Sequence, residues 1–442
     1  MPNAAPASPA PRPSFGEAFR FWLKLGFISF GGPAGQIAIM HEELVERRRW
    51  ISESRFLHAM NFCMLLPGPE AQQLAIYSGW LLHGTPGGIV AGALFVLPSA
   101  VILWVLSYAY VVFGTLPLAV GLLGGLKLAV LAIVAAAAVR IGKRVLKNGI
   151  MVGLAAGAFG LMYEGALPFP LIILGAALIG YLGFRCWPQK FAVLPDEGVG
   201  GFENGADSKS QNTARERVKA YRRVFITALT GGLFWWLPVF AVGMWLGWKH
   251  TVFAQALFFS KAAVVTFGGA YAVLPYVAQE AVGSYGWLAP GQMLDGLGLA
   301  ETTPGPLIMV LQFVGFVGAW QHPGDLPPLA AATLGAAVTT WVTFVPCFLW
   351  IFLGAPYIDH LRAHRGLTAA LSTITAAVVG VIASLAVDFG TAVIFRRGTS
   401  VDWLGLALVG GGFVGLVRWK WGVIPVILIG AAIGLARRFA GF

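Results

Sequence analysis

Two helix-breaking strings recur in this chain at one fixed spacing, and no other feature restricts its fold as much. Phe30-Gly31-Gly32-Pro33 and Pro67-Gly68-Pro69 return as Phe267-Gly268-Gly269 and Pro304-Gly305-Pro306, each 237 positions later. The same register carries Lys24 onto Lys261, Glu43 onto Glu280 and Trp50 onto Trp287 without a gap. Further on, Pro170 with Gly175-Ala176-Ala177 matches Pro425 with Gly430-Ala431-Ala432 at an offset of 255, so the second copy gains 18 residues in between. Chance similarity between apolar segments does not hold one register through Lys, Phe-Gly-Gly, Glu, Trp and Pro-Gly-Pro. The chain is an internal duplication whose repeated unit contains broken helices.

Composition says where such a unit must fold. Of 442 residues, 57% are hydrophobic and 11% charged, against roughly a quarter charged in soluble domains. Apolar runs long enough to cross a bilayer as helix cover residues 88–113, 116–139, 166–184, 224–247, 327–353 and 367–390. They do not alternate in polarity as the strands of a membrane barrel would, and backbone groups in lipid must be satisfied internally. The expected fold is an all-α polytopic membrane protein with two homologous multi-helix repeats. The net charge of +11 comes from Lys and Arg between apolar segments, which reads as positive-inside topology signals and not as a nucleic-acid surface. Cys63, Cys186 and Cys347 are solitary, without metal or redox spacing. No phosphate-binding loop, nucleophile–base pair or metal cluster is present, so neither an enzyme nor a cofactor is expected.

Along the chain, residues 1–14 lack the features of a signal peptide and read as a disordered lead. The first repeat, 15–184, holds an apolar helix at 17–30 that breaks at Gly31-Gly32-Pro33. A second helix then leads to a membrane exit at Arg47-Arg48-Arg49. Short helices at 54–66 and 70–82 flank Pro67-Gly68-Pro69, the pattern of a discontinuous segment. A basic loop, Arg140 to Lys147, separates 116–139 from 150–163. Residues 185–223, with Asp196, Glu197, Glu203, Asp207 and Lys209, form a polar linker whose basic end places it in the cytoplasm. Residues 224–247 are an extra helix without a partner in the first copy, and 252–438 are the second repeat. With an even number of crossings per repeat, the extra helix inverts the second copy; re-entrant Pro-Gly-Pro segments would make the total even and the copies parallel. The Arg47–Arg55 stretch is basic while its counterpart, 279–291, has no Lys or Arg. The expectation is therefore inversion, with about ten to thirteen membrane segments.

The breaks are also where chemistry is expected. In Pro-Gly-Pro, the first Pro ends a helix, Gly turns the chain and the second Pro suits the start of the next helix. That start carries free N–H groups and about half a positive charge, which makes an anion site. Gly31, Gly32, Gly68, Gly268, Gly269 and Gly305 allow close backbone approach. Lys24 and Lys261 either face a cavity and attract an anion or snorkel to an interface. Gln72, Gln73, Thr302 and Thr303 could hydrogen-bond a bound ion or a neighbouring helix. Glu70 and Glu301 place a carboxylate beside each Pro-Gly-Pro; ionised, it opposes an anion, and protonation relieves that repulsion, a basis for proton coupling. Lys127 and Asp388, within apolar segments, are candidates for pairing across the bundle.

Together these strings resemble the chromate ion transporter family in its long two-domain form. The resemblance rests on Phe30-Gly31-Gly32-Pro33, Glu46-Arg47-Arg48-Arg49-Trp50, Leu66-Pro67-Gly68-Pro69-Glu70-Ala71-Gln72-Gln73-Leu74 and Phe95-Val96-Leu97-Pro98-Ser99. In the second half it rests on Thr266-Phe267-Gly268-Gly269-Ala270-Tyr271 and Leu299-Ala300-Glu301-Thr302-Thr303-Pro304-Gly305-Pro306. Ala270 stands where the first copy has Pro33, so the two breaks need not be equally sharp. The resemblance implies a multi-pass protein of the bacterial cytoplasmic membrane that exports chromate, driven by the proton gradient or membrane potential, and confers chromate resistance. The residues themselves suit sulfate equally, and an uncoupled anion channel is the alternative mechanism. Partners are then a chromate or sulfate anion and membrane lipid, without nucleic acid; monomer and homo-oligomer are both compatible.

Overall fold

The computed structural model describes residues 12–191, 214–357, 365–396 and 400–440. Most of the N-terminal lead and the middle of the linker, including Asp196 to Lys209, lie outside the described residues. The first half contains α1 (Phe15–Ile28), α2 (Gly32–His41), α3 (Glu53–Cys63), α4 (Glu70–Phe113), α5 (Pro117–Val145), α6 (Gly149–Tyr163), α7 (Phe169–Cys186) and a single turn, α8 (Pro188–Phe191). The second contains α9 (Ala214–Leu246), α10 (Thr251–Val265), α11 (Ala270–Gln279), α12 (Gln292–Thr302), α13 (Val310–Gln321), α14 (Pro328–Gly354), α15 (Arg365–Ile394), α16 (Trp403–Val417) and α17 (Val423–Phe439). Phe395–Arg396 pairs antiparallel with Ser400–Val401 after α15. Among the described residues, six helices are long and apolar enough to cross a membrane: α4, α5, α7, residues 221–246 of α9, α14 and α15.

Each repeat opens with two helical hairpins that enter the membrane and return. On α1, Phe15, Phe19, Leu23 and Phe27 make an exposed stripe while Ala18, Phe21, Trp22 and Leu25 are buried, the four-residue periodicity of a helix between lipid and core. After the break, α2 and a π-helical turn at Glu42–Arg47 lead back to where α1 began. Arg48 Nη1 lies 3.8 Å from Glu17 Oε1, and its guanidinium sits 5.1 Å from the Phe21 ring and 4.8 Å from the Trp50 ring. The basic cluster Arg47-Arg48-Arg49 is thus an exit onto the face of departure, not the end of a crossing.

The second hairpin shares that face. His41 Nε2 is 2.7 Å from Glu53 Oε2 at the start of α3, and the His83 ring, at the end of the first arm of α4 (residues 70–82), is 2.9 Å from the Pro13 carbonyl. At His83 and Gly84 the backbone leaves helical conformation, and the second arm (85–113) folds back along the first: a Cβ on Gly88 would lie 3.0 Å from the Ile76 carbonyl oxygen. This second arm crosses to the far face.

The hairpins of the second repeat start from that far face. Trp104, late in α4, donates to Thr333 Oγ1 at 3.2 Å near the start of α14, and the Tyr110 hydroxyl donates to Asp295 at 3.1 Å near the start of α12. Gln321, ending α13, donates to Gln292, starting α12, at 3.0 Å. Meanwhile α14 runs antiparallel to the second arm of α4, with Phe348 against Gly92 and Phe352 against Gly88. The repeats are therefore inverted. Their hairpins are otherwise alike: Phe21 meets Trp50 at 5.4 Å and its counterpart Phe258 meets Trp287 at 5.6 Å. The place of Arg48 is taken by Tyr285, stacked 4.2 Å from Trp287. Pro-Gly-Pro is re-entrant without making the copies parallel, because Phe-Gly-Gly is re-entrant too and the two exceptions cancel.

Behind the hairpins, α5 and α15 lie antiparallel on the axis relating the repeats. A Cβ on Gly142 would lie 3.4 Å from Val379, and one on Gly390 would lie 4.0 Å from Leu131. Residues 142 and 390, like 131 and 379, are 248 apart, so this is one contact seen from both copies. Packing is exchanged between halves: α16 and α17 pack on α5, while α6 and α7 pack on α15. The unpaired α9 packs on α14 and is already helical at residues 214–223, which the sequence assigns to the polar linker. α5 remains helical through Val145, so Arg140 and Arg144 belong to a helix rather than to the basic loop expected there.

Candidate functional site

The hairpin tips of the two repeats meet in the interior. Gly68 N–H donates to the Thr266 carbonyl at 2.8 Å, and Gly305 N–H donates to the Ser29 carbonyl at 2.8 Å. Both pairs are one contact repeated at the 237-residue offset: each Pro-Gly-Pro is tied to the opposite Phe-Gly-Gly. Gly68 has φ 120° and Gly305 φ 97°, a region costly for residues with a Cβ. Space is also restricted, since a Cβ would lie 2.8 Å from Cys347 Sγ at Gly68 and 2.7 Å from Ser99 Cβ at Gly305. Ser99 and Cys347 each follow an internal proline of a long helix, Pro98 in α4 and Pro346 in α14. The Gln36 amide donates to the Ser29 and Gly305 carbonyls, binding one crossing further.

Four helical segments start at these breaks: α2 after Gly31, α4 after Pro69, α11 after Gly269 and the turn Leu307–Met309 after Pro306. None has a side-chain cap. α1 and α10, which open the repeats at the membrane faces, are capped by Ser14 and His250, while α3 and α12 start there without a side-chain cap. The orphan N–H groups of helix starts are a source of positive potential, here gathered at mid-depth. Gly31, Gly32, Gly268 and Gly269 all have positive φ, so the turns depend on glycine. Both amide atoms of Gln72, with Gln36 Oε1, Gln73 Oε1 and Ser99 Oγ, are buried without a hydrogen-bond partner among protein atoms. Buried polar groups without partners are uncommon, and these cluster on the elements that form the breaks.

The candidate residues divide into two sets. The six glycines, Gln72, Gln73 and Glu70 belong to the tips: Glu70 Oε1 is 4.0 Å from where a Cβ on Gly269 would stand. Glu301 is there too, its Oε1 accepting the Tyr271 hydroxyl at 2.6 Å, so both carboxylates border the start of α11. Gln73 spends its N–H on the Pro67 carbonyl at 2.7 Å. Thr302 and Thr303 donate to their own helix, to the Leu299 and Ala300 carbonyls. Lys24 is exposed in a cleft of about 410 Å³ with Glu17, Arg20 and Arg48. Lys261 is exposed, 5.8 Å from the Tyr276 ring. Asp388 is exposed on α15.

Sequence reasoning missed the arginines of α5. Arg140 is close enough for its charge to act on Glu301 and Tyr271, and Arg144 acts likewise on Glu70. Arg144 Nη2 is also 3.7 Å from Met64 Sδ, just before Pro67. The four-residue spacing of Arg140 and Arg144, had the helix been extended through them, was the available signal.

The two halves differ in how the hairpins sit on α5 and α15. In the second repeat, α11 packs on α15 and α12 on α5, while among the described residues α2 and α3 make no comparable contact. Residues 272–278 of α11 are all buried, whereas Ala34 and Ala38 of α2, and Gly31 just before it, are exposed. The hairpins of the first repeat thus cover the α5–α15 pair less than those of the second, and Arg140 and Arg144 are exposed at the near-face end of α5. On the far face, Lys127 Nζ lies 3.1 Å from Asp295 Oδ2, joining α5 to α12.

A chromate transporter family model matches residues 16–181 and 253–435, two segments that coincide with the repeats. The chain is 30% identical over 431 residues to a chromate transport protein of Pseudomonas aeruginosa, covering 96% of this chain and 92% of the relative. It is 27% identical to a chromate transport protein of Cupriavidus metallidurans, covering 96% and 93%. A probable chromate transport protein of Synechococcus elongatus is 29% identical, covering 96% and 95%. No solved structure matches.

Proposed function

The chain belongs to the chromate transporter family, and from that premise we propose that it is a secondary transporter that moves chromate out of the cell, driven by the membrane potential or proton gradient, and so confers chromate resistance. The observation that carries this reading is the reciprocal pair Gly68–Thr266 and Gly305–Ser29, which gathers four uncapped helix starts between inverted repeats. Chromate, a tetrahedral dianion, suits such N–H groups. The near face bears Arg47-Arg48-Arg49 and receives the end of α5 with Lys143 and Arg144, which makes it the cytoplasmic face of a bacterial inner membrane by the positive-inside rule. A potential negative inside then favours outward movement of the dianion, by about 2.3 kcal/mol per charge per 100 mV.

Chromate reaches the tips from the near face, where α2 and α3 make no extensive contact with α5 and α15 among the described residues. Glu70 and Glu301 beside α11 oppose it while ionised and admit it more readily when protonated, which makes flux respond to protons. Release to the far side requires α11 and α12 to leave α15 and α5 while α2 and α3 take up the mirrored contacts, one repeat exchanging conformation with the other. The packed far face supports this cycle over an uncoupled channel, in which both ends would stand open.

The test is radiolabelled chromate flux in proteoliposomes with and without an imposed proton gradient, with sulfate as competitor. Accumulation against a chromate gradient, lost on collapse of the potential and proton gradient, is expected. Flux that only follows the chromate gradient would favour the channel, and robust sulfate flux without chromate flux would change the substrate.

A further inference from the structure

The geometry points to Arg140 and Arg144 of α5 as the cationic residues that receive the substrate oxyanion on the near-face side of the hairpin tips, in place of the lysines preceding the Phe-Gly-Gly breaks. This assignment rests on the transport reading above and adds the binding residues. Both arginines are exposed on α5, where α2 and α3 stand off from the α5–α15 pair, and one helical turn separates them. Arg144 contacts Met64 at the tip of the first repeat, and Arg140 acts on Glu301 at the tip of the second. Met64 and Glu301 are 237 positions apart, so the two guanidinium groups address equivalent points of the two hairpins. Lys24 and Lys261 lie at the outside surface of their hairpins, away from that place.

The pair has no counterpart on the other side of the pseudo-two-fold axis. In the 248-residue register fixed by the Gly142–Val379 and Gly390–Leu131 contacts, Arg140 corresponds to Asp388 and Arg144 to Ala392. The near half of the pathway thus presents two cations where the far half presents a carboxylate and a methyl group. An oxyanion is drawn in at the near face and is not retained at the far one, an asymmetry that suits export. Guanidinium is the apt cation here, because its planar fork can hold two oxygens of a tetrahedral anion at once. It is also always charged, so the attraction persists whatever the state of Glu70 and Glu301.

The test compares the full chain with Arg140→Gln, Arg144→Gln, Arg140→Lys and Arg144→Lys, measuring equilibrium binding of radiolabelled chromate in detergent and flux in proteoliposomes. Each Gln variant is expected to weaken chromate binding and raise KM at least tenfold, with a smaller effect on maximal flux. Each Lys variant should recover part of the loss, a graded response that a merely structural role would not give. Monodisperse Gln variants that bind chromate as tightly as the wild type would overturn the arginine assignment alone. A wild-type protein that neither binds nor carries chromate or sulfate would overturn the transport reading beneath it.

Discussion

Lys127 Nζ in the first repeat lies 3.1 Å from Asp295 Oδ2 in the second, and the Tyr110 hydroxyl donates to that same oxygen. The Asp295 side chain is only 5% exposed and that of Lys127 29%. No ion pair of the same kind can form at the mirrored place, because His58 and Thr375 stand in the corresponding registers. The contact joins α5 to α12 on the far face alone.

Breaking that pair should open the far face. Asp295→Asn is expected to expose a cysteine placed at Thr302, in a background without Cys186, to a membrane-impermeant maleimide from the far side. The otherwise wild-type protein should label only from the near side. The exchange Lys127→Asp with Asp295→Lys should restore part of the protection. Removing one partner of a buried pair costs about 3–5 kcal/mol, and the exposure of Lys127 puts the loss at the low end. Equal far-side labelling in all variants would show that the pair is no gate.

Gly68→Ala and Gly305→Ala should both impair transport, Gly305→Ala the more severely. Each forces a Cβ into positive φ, at about 1–2 kcal/mol. At Gly305 the obstacle is Ser99 Cβ, fixed to the backbone, whereas at Gly68 it is the movable Cys347 Sγ. Cys347→Ala should therefore rescue part of the Gly68→Ala loss of thermal stability in a double-mutant cycle. Strict additivity would mean that the two residues do not meet.

Adjacent glycines on α5 should behave oppositely. A Cβ on Gly125 would run into the Gly430 carbonyl oxygen, while one on Gly124 meets nothing within 4 Å. Gly125→Ala has to push α5 from α17, with a marked fall in folded yield on size-exclusion chromatography. Gly124→Ala should remain close to wild type. Small residues admit this kind of backbone contact between membrane helices.

Glu70→Gln combined with Glu301→Gln removes the exchangeable protons beside α11. Downhill chromate flux should persist in this variant, while its response to an imposed proton gradient disappears. A proton response of wild-type size would place the coupling elsewhere.

Much of the architecture was legible in the sequence because the duplication announces itself through residues that helices avoid. Phe-Gly-Gly and Pro-Gly-Pro located the breaks, and the bare segment 279–291 against Arg47–Arg55 gave the inversion. What could not be read was the path of each broken segment. A helix that turns back and one that crosses have the same apolar composition, and only contacts such as Arg48 with Glu17 separate them. For Lys24 and Lys261 the sequence leaves both a cavity and an interface open, and the structure shows both residues exposed on the hairpins. Arg140 and Arg144 were hidden by their charge, which near a segment end reads as topology. Their neighbours at the site, Glu70 and Glu301, come from segments distant in sequence.

The most direct measurement is an anomalous difference map at the chromium absorption edge, from crystals of the protein grown with chromate. The expected result is a peak between the start of α11 and the Arg140–Arg144 turn of α5, within reach of Glu70. A peak confined to the cleft of Arg20, Lys24 and Arg48, with none at the hairpin tips, would contradict the placement of the transport site where the two repeats cross.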